Sequence, residues 1–247
     1  MPYSMTSATS CLHGKSGFTI AVETSTALGS LALFDGSNLI EQKTWHKNGS
    51  HSEFVTASFS EILDMQKVAP SEIAQIAVGL GPGSFTGIRV AVNFARTLGY
   101  ALSVPIIGQN SLELLAYQQG LREFEQPIFV LQYGFRDIFY GAQYKYETDS
   151  TGQAYLREIE KPFAVLASEV PKWIPKGARV IGRGMEHIET SDRWDINTND
   201  KRDPEAAFFS GTLVRNTTNL SLSNWIHTIP LYIRASEAEE KMRSSAF

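Results

Sequence analysis

From Phe18 onward the chain sets apolar and polar positions in short runs: FTIAVE (18–23), LGSLALF (28–34) and NLIEQKTW (38–45). The turn-forming stretches TSTA and DGS separate them, so the pattern predicts a three-stranded antiparallel meander. The period then changes. Across 51–67, Val55, Phe59, Ile62 and Met65 recur at helical spacing, with Ser50 or Ser52 available as a cap and Glu53 suited to the positive N-terminal end. IAQIAVGLG reads as a buried strand running into a glycine-rich loop, 85–102 as a second helix, and VPIIG as a further strand. Strands followed by helix, strand, helix and strand predict an α/β lobe with a mixed sheet.

The second half repeats this order less clearly. SLELLAYQQG reads as a short helix ending at Gly120, while PIFVLQ, DIFYGAQYKY and GQAYLREIEKPF read as a second strand meander. A helix around ASEVPKWI, the strand ARVIGRG, the polar loop ETSDRWDINTNDKRD and a helix over PEAAFFSGTLVRN follow, with Pro204 placed for a first helical position. A duplicated strand-rich α/β lobe is the architecture of actin-like ATPases and sugar kinases, in which a nucleotide lies between the lobes. The expected division is a disordered leader over 1–17, an N-terminal lobe over 18–110 and a C-terminal lobe with its tail over 111–247.

Composition narrows the function. The chain has 247 residues, 43% of them hydrophobic, and a formal net charge of -4, which argues against a surface that condenses nucleic acid phosphates unaided. The single cysteine, Cys11, forms neither an internal disulfide nor a multi-cysteine zinc site, which suits a reducing, cytoplasmic home. No run of about 18 apolar residues is present to span a membrane.

Several stretches resemble the TsaB (YeaZ) family: IAVETSTALGSLALFD, the HSE that opens the first helix, IAVGLGPGSFTGIRVAVNFARTLGYALSVPIIGQNSLELLA, and PLYIR at 230–234. The likeness is strongest over 18–115 and rests mainly on element order over 121–225. It implies a two-lobed actin-like ATPase/sugar-kinase (ASKHA, ribonuclease H-like) fold. It also implies a non-catalytic scaffold subunit of the threonylcarbamoyl-adenosine (t6A37) tRNA modification complex, one that binds and activates the TsaD transferase. The TsaE ATPase would join through the TsaB–TsaD complex, tRNA would be met through that complex, and the chain alone would form a homodimer. No cofactor is expected to bind tightly, with ADP or ATP at the interface with TsaD as the candidate ligand.

The loop GLGPGSFTG departs from known phosphate loops. A Walker A loop needs Lys and then Ser or Thr after its last glycine, where this chain has Ser84 and Phe85. Gly79, Gly81 and Gly83 also miss the dinucleotide spacing by one residue. Gly81, Gly83 and Ser84 remain a weak nucleotide-loop candidate, because a helix N-terminus contributes about 0.3–2 kcal/mol toward an anion. The competing reading is a tight strand-to-helix turn capped by Ser84. Kinases of the actin-like fold carry an Asp at the end of the first strand, where this chain has Glu23 in ETST; no magnesium is assigned to it, so Glu23→Gln is expected to leave stability and partner binding nearly intact.

Other chemistry is sparse. The family's usual DAR aligns with Gln132, Tyr133 and Gly134, which removes a carboxylate. The metal-binding histidines of TsaD-like proteins lie four apart, whereas His46 and His51 are five apart across a loop, and His13, His187 and His227 are scattered. An ATP-dependent phosphotransferase is the alternative in another class, with Asp35, Asp64 and Asp137 as candidates by type. A glycoprotease-like peptidase is a further alternative, for which Ser84 lacks a base partner.

In the second helix Gly87, Ala91, Ala95 and Gly99 form a small-residue stripe that allows close packing. The stripe is expected on the protein's own sheet, turning Arg89, Val90, Asn93, Phe94 and Thr97 outward beside Phe54, Ser58 and Glu61 of the first helix. The resemblance makes the surface of these two helices the partner interface, which takes in these eight residues; with the Arg89 guanidinium on a wet rim, Arg89→Ala is expected to weaken association by about 1 kcal/mol, less than Phe94→Asp.

Overall fold

The computed structural model describes residues 17–46, 50–118, 126–134, 137–150, 152, 154–189, 194–196, 203–210, 213 and 225–233. The expectations for the leader, Cys11, His13, Gly120 and Arg234 lie outside these residues. The first half runs β1 (Phe18–Glu23), β2 (Leu28–Asp35), β3 (Asn38–His46), α1 (His51–Gln66), β4 (Ile73–Gly79), α2 (Phe85–Leu102), β5 (Ile106–Gln109) and α3 (Ser111–Tyr117). The second half runs β6 (Ile128–Tyr133), β7 (Ile138–Thr148), β8 (Ala154–Leu166), α4 (Val170–Trp173), β9 (Arg179–Arg183) and β10 (Asp195–Ile196).

The two halves build matching sheets. The first has the order β3-β2-β1-β4-β5 and the second, read from its β8 edge, β8-β7-β6-β9-β10. In each the opening three strands are antiparallel, and the next two are added parallel. This repeat is the duplication that the strand meanders predict. A central strand covered on both faces reads as an unbroken apolar run, and Ile20, Ala21 and Val22 of β1 are fully buried.

On one face of the first sheet, α1 and α2 close a core around Ile20, Val22, Leu31, Leu33, Ile76 and Val78. On the other, Ala21, Ala32, Phe34 and Ala77 meet Leu114 of α3 and, from far along the chain, Ala206, Phe209 and Leu213. Leu112, Leu115 and Ala116 pack instead against the second sheet. The N-terminus of α3 therefore stands where the two halves meet.

Three local expectations are corrected. Met65 is 59% exposed and Leu63 is buried in its stead, because the inward stripe through Val55, Ser58 and Ile62 turns Leu63 and not Met65 to the core; the helix is closed by Lys67 in the left-handed region, with Lys67 N–H donating to Asp64 O and Val68 N–H to Leu63 O. That reversal brings Val68 into the first core. The polar loop after β9 contains β10, which pairs with Arg179 and Val180 beside the buried Trp194. The helix expected from Pro204 instead opens with a 3-10 turn over Ala206–Phe208, with Glu205 and not Pro204 at its start, and Phe209, Ser210 and Leu213 beyond it are helical.

Candidate functional site

The chain leaving β1 turns back at once over the glycine loop. Ser84 N–H donates to Ser25 O at 2.7 Å, and Thr24 Oγ1–H donates to Gly87 O at 2.8 Å, so the first turn of α2 is stitched to the end of β1. Ser84 Oγ accepts from Gly87 N–H at 3.2 Å, the capping role read from its position. The glycines serve close approach. A Cβ on Gly83 would stand 2.2 Å from Ser25 O, and one on Gly87 would stand 2.0 Å from Thr24 O. Gly81, at φ +92°, adopts a backbone conformation that side chains disfavour.

The floor of this loop is filled by the chain's own carboxylate. Glu23 is fully buried; its Oε1 accepts from Ser25 N–H at 2.5 Å and its Oε2 from the Ser111 hydroxyl at 2.7 Å. Ser111 Oγ in turn accepts from Gly81 N–H at 3.1 Å, while Ser111 N–H donates to Gly81 O at 2.8 Å. A Cβ on Gly79 would come within 1.8 Å of Glu23 Oε2, so glycine there makes the seat for the carboxylate. Burial pushes the Glu23 carboxyl up from its ordinary range, against the lowering effect of its hydrogen bonds from Ser25, Ser111 and Thr24. The glycine loop is thus engaged with Glu23, Ser25 and Ser111. Residue-type reasoning found the loop but missed that Glu23 and Ser111 complete it, since one serine opening α3 carries no motif of its own.

Histidine 51 also has a structural post. Trp45 Nε1–H donates to His51 Nδ1 at 3.0 Å, which leaves Nε2–H to donate to Thr26 O at 3.0 Å. His46, at the end of β3, is exposed, and His187 stacks on Tyr133 at 4.1 Å. His51→Ala is expected to strand the buried Trp45 donor and the Thr26 carbonyl, lowering stability by about 1–3 kcal/mol in urea titrations. In the second sheet a buried amide, Gln132 near the end of β6, stands where the carboxylate of DAR would be, and Tyr133 beside it meets Phe139 edge to face at 5.3 Å. Asp35, Asp64 and Asp137 are exposed on β2, α1 and the β6–β7 turn, three separate elements.

The two-helix face is formed as expected in outline. Gly87, Ala91, Ala95 and Gly99 are buried against the chain's own sheet and the strand that follows, with the Cβ position of Gly99 2.8 Å from Ile106. Arg89, Asn93 and Thr97 are exposed, and Val90 and Phe94 half-buried. Phe94 meets Phe59 of α1 edge to face at 5.6 Å. On α1, Phe54 is exposed and stacks on Trp45 at 6.1 Å, and exposed Glu61 pairs with Lys43 of β3. Ser58 is the exception: it lies on the inward stripe between Val55 and Ile62, about one turn from each, and is buried. Its small side chain fits a packing position, so it is removed from the outward face.

A family model described as TsaD: tRNA N6-adenosine threonylcarbamoyltransferase matches residues 38–242, most of the chain. The chain belongs to this family. Its relatives place it on the TsaB side of the TsaD family. It is 33% identical over 97 residues to the tRNA threonylcarbamoyladenosine biosynthesis protein TsaB of Bacillus subtilis, covering 39% of this chain and 42% of that one. It is 25% identical over 131 residues to the TsaB of Buchnera aphidicola from Acyrthosiphon pisum, covering 52% and 58%. The chain spans about half the length of the curated relatives it matches. YeaZ from Pseudomonas aeruginosa superposes with a TM-score of 0.71 over 87% of this chain and 99% of its own, at 22% identity, a likeness of fold. With the two matching mixed sheets, this is the actin-like, ribonuclease H-like fold that the duplicated pattern predicted. Among the described residues no helix is long and apolar enough to cross a membrane.

Proposed function

We propose that this protein is a non-catalytic subunit of the t6A tRNA modification machinery, acting in the cytoplasm by docking its α1/α2 face on the TsaD transferase and activating it. The observation that carries this reading is the occupied loop. A phosphate approaching Gly79–Gly83 would meet a buried carboxylate, held by one backbone amide and one hydroxyl, and displacing it would strand both donors. The family supplies the pathway, because the TsaB relatives are named for threonylcarbamoyladenosine biosynthesis. TsaE and tRNA then engage through the TsaB–TsaD complex, the chain alone pairs with a second copy through the same helices, and ADP or ATP is held at the interface with TsaD and not by this chain by itself.

The partition of labour has a direct test. The purified chain is expected to transfer no threonylcarbamoyl group to tRNA, and to raise the turnover of TsaD when the two are mixed with TsaE and the adenylate donor. Turnover by this chain alone overturns the non-catalytic assignment. Sub-micromolar binding of Mg-ATP to the isolated chain in calorimetry would favour the phosphotransferase alternative of the same fold.

A further inference from the structure

Residues 225–233 lie along α2 from its last turn to its first. Trp225 meets Tyr100 edge to face at 5.1 Å, Thr228 is buried, and Leu231 N–H donates to Leu80 O at 2.8 Å beside the glycine loop. At the N-terminal end of the helix this segment completes a cluster around Arg89. The guanidinium carbon stands 3.7 Å from the centre of the Phe85 ring and 5.8 Å from that of Tyr232. The two rings are 5.1 Å apart, and Arg89 Nε–H donates to Tyr232 Oη at 2.8 Å.

An arginine held in this way differs from one that is free to swing. Stacking on Phe85 sets the plane of the guanidinium and the bond to Tyr232 sets its rotation within that plane, so the Nη–H groups project as a pre-oriented fork. Arg89 makes no ion pair with any described residue. Neither α2 nor the segment 225–233 contains an Asp or Glu. Phe85 and Tyr232, the two rings that hold the guanidinium, are 37% and 44% exposed. The cations of α2 are Arg89 and, two turns on, Arg96; on a chain of net charge -4 this pair does not make the row of cations that a phosphate backbone takes. The cluster around Arg89 does match a protein hot spot, where Arg and Tyr anchors sit among apolar neighbours.

We propose that Phe85, Arg89 and Tyr232 form a receptor for one carboxylate of a protein partner, and that residues 225–233 belong to the docking surface because they hold that arginine in place. The proposal rests on the reading that a TsaD-type subunit docks on the α1/α2 face. Arg89 is the contact residue. Tyr232 is a positioning residue that acts through it.

Calorimetric titration of the full chain and its variants with TsaD tests this, with melting temperature and circular dichroism reporting the fold of each variant. Arg89→Ala is expected to weaken association at least tenfold, and Arg89→Lys to reproduce most of that loss, because an ammonium keeps the charge without the fork. Tyr232→Phe retains the ring and is expected to cost a few-fold, whereas Tyr232→Ala approaches the loss of Arg89→Ala. The double variant Arg89→Ala/Tyr232→Ala is expected to bind no more weakly than Arg89→Ala alone, the non-additivity that positioning produces and independent packing does not. Affinity within twofold of wild type for Arg89→Ala, while Phe94→Asp abolishes binding, overturns the proposal and leaves the docking reading standing. Additive losses overturn the positioning role. Loss of self-association or of tRNA binding with TsaD affinity unchanged assigns the fork to a second copy or to RNA, and overturns it too. Failure of the wild-type chain to bind TsaD removes the docking reading and the proposal with it.

Discussion

Glu23→Ala is expected to destabilise the chain by about 2–4 kcal/mol, because it leaves the buried Ser25 amide and Ser111 hydroxyl without their acceptor and opens a void over Gly79. Glu23→Gln behaves differently, and its cost depends on pH. The folded-state pKa of Glu23 is raised by burial, so between the unfolded value and the folded one the native chain holds a proton that the unfolded chain has released. In that window stability falls as pH rises. Glutamine has no such dependence. The stability margin of wild type over Glu23→Gln is therefore expected to be largest below the ordinary carboxylate range and to shrink as pH rises through the raised pKa. Urea midpoints of both proteins at acid and at mildly alkaline pH measure it. A margin that grows with pH would mean that the hydrogen bonds outweigh desolvation and that the ionised form is the stabilised one. The near-neutral outcome expected from sequence, which rested on the absence of magnesium, thus gives way to a structural role.

This contrast shows what the sequence could carry. The sheets were legible because β1, β2 and β4 have the apolar runs that two-sided burial demands, and α2 because Gly87, Ala91, Ala95 and Gly99 fall at a helical period against the sheet. Contacts between distant segments left no such trace. Ser111 lies 88 residues from the carboxylate it completes, and Tyr232 lies 143 from Arg89. The burial of Ser58 was hidden because a serine reads as polar while its position on the Val55–Ile62 stripe is an inward one. The strand β10 was hidden by two residues in a polar stretch, whose pairing depends on β9 offering a free edge. In each case periodicity gives the direction of a side chain relative to its own element, and packing between elements decides what it meets.

Phe94→Asp is expected to abolish association through the α1/α2 face and to lower the stability of the folded chain by a smaller amount. The two losses come from the two sides of one ring. Its inner edge meets Phe59 and the rim of the first core, and losing such an aromatic pair costs about 0.5–1.5 kcal/mol beyond the area uncovered. Because Phe94 is only half-buried, aspartate can turn its carboxylate to water in the monomer, and the fold survives. In a docked complex that water is gone, so the carboxylate is desolvated against an apolar contact at a cost of several kcal/mol, enough to move a micromolar complex beyond ordinary protein concentrations. Asn93→Arg, on the exposed neighbour, is the companion variant, expected to weaken association with no change in melting temperature. Sedimentation of both variants with and without TsaD, alongside thermal melts, separates the effects. Association that persists in Phe94→Asp rejects the helix face as the docking surface, and outright unfolding would show that the inner contact with Phe59 outweighs the outer one.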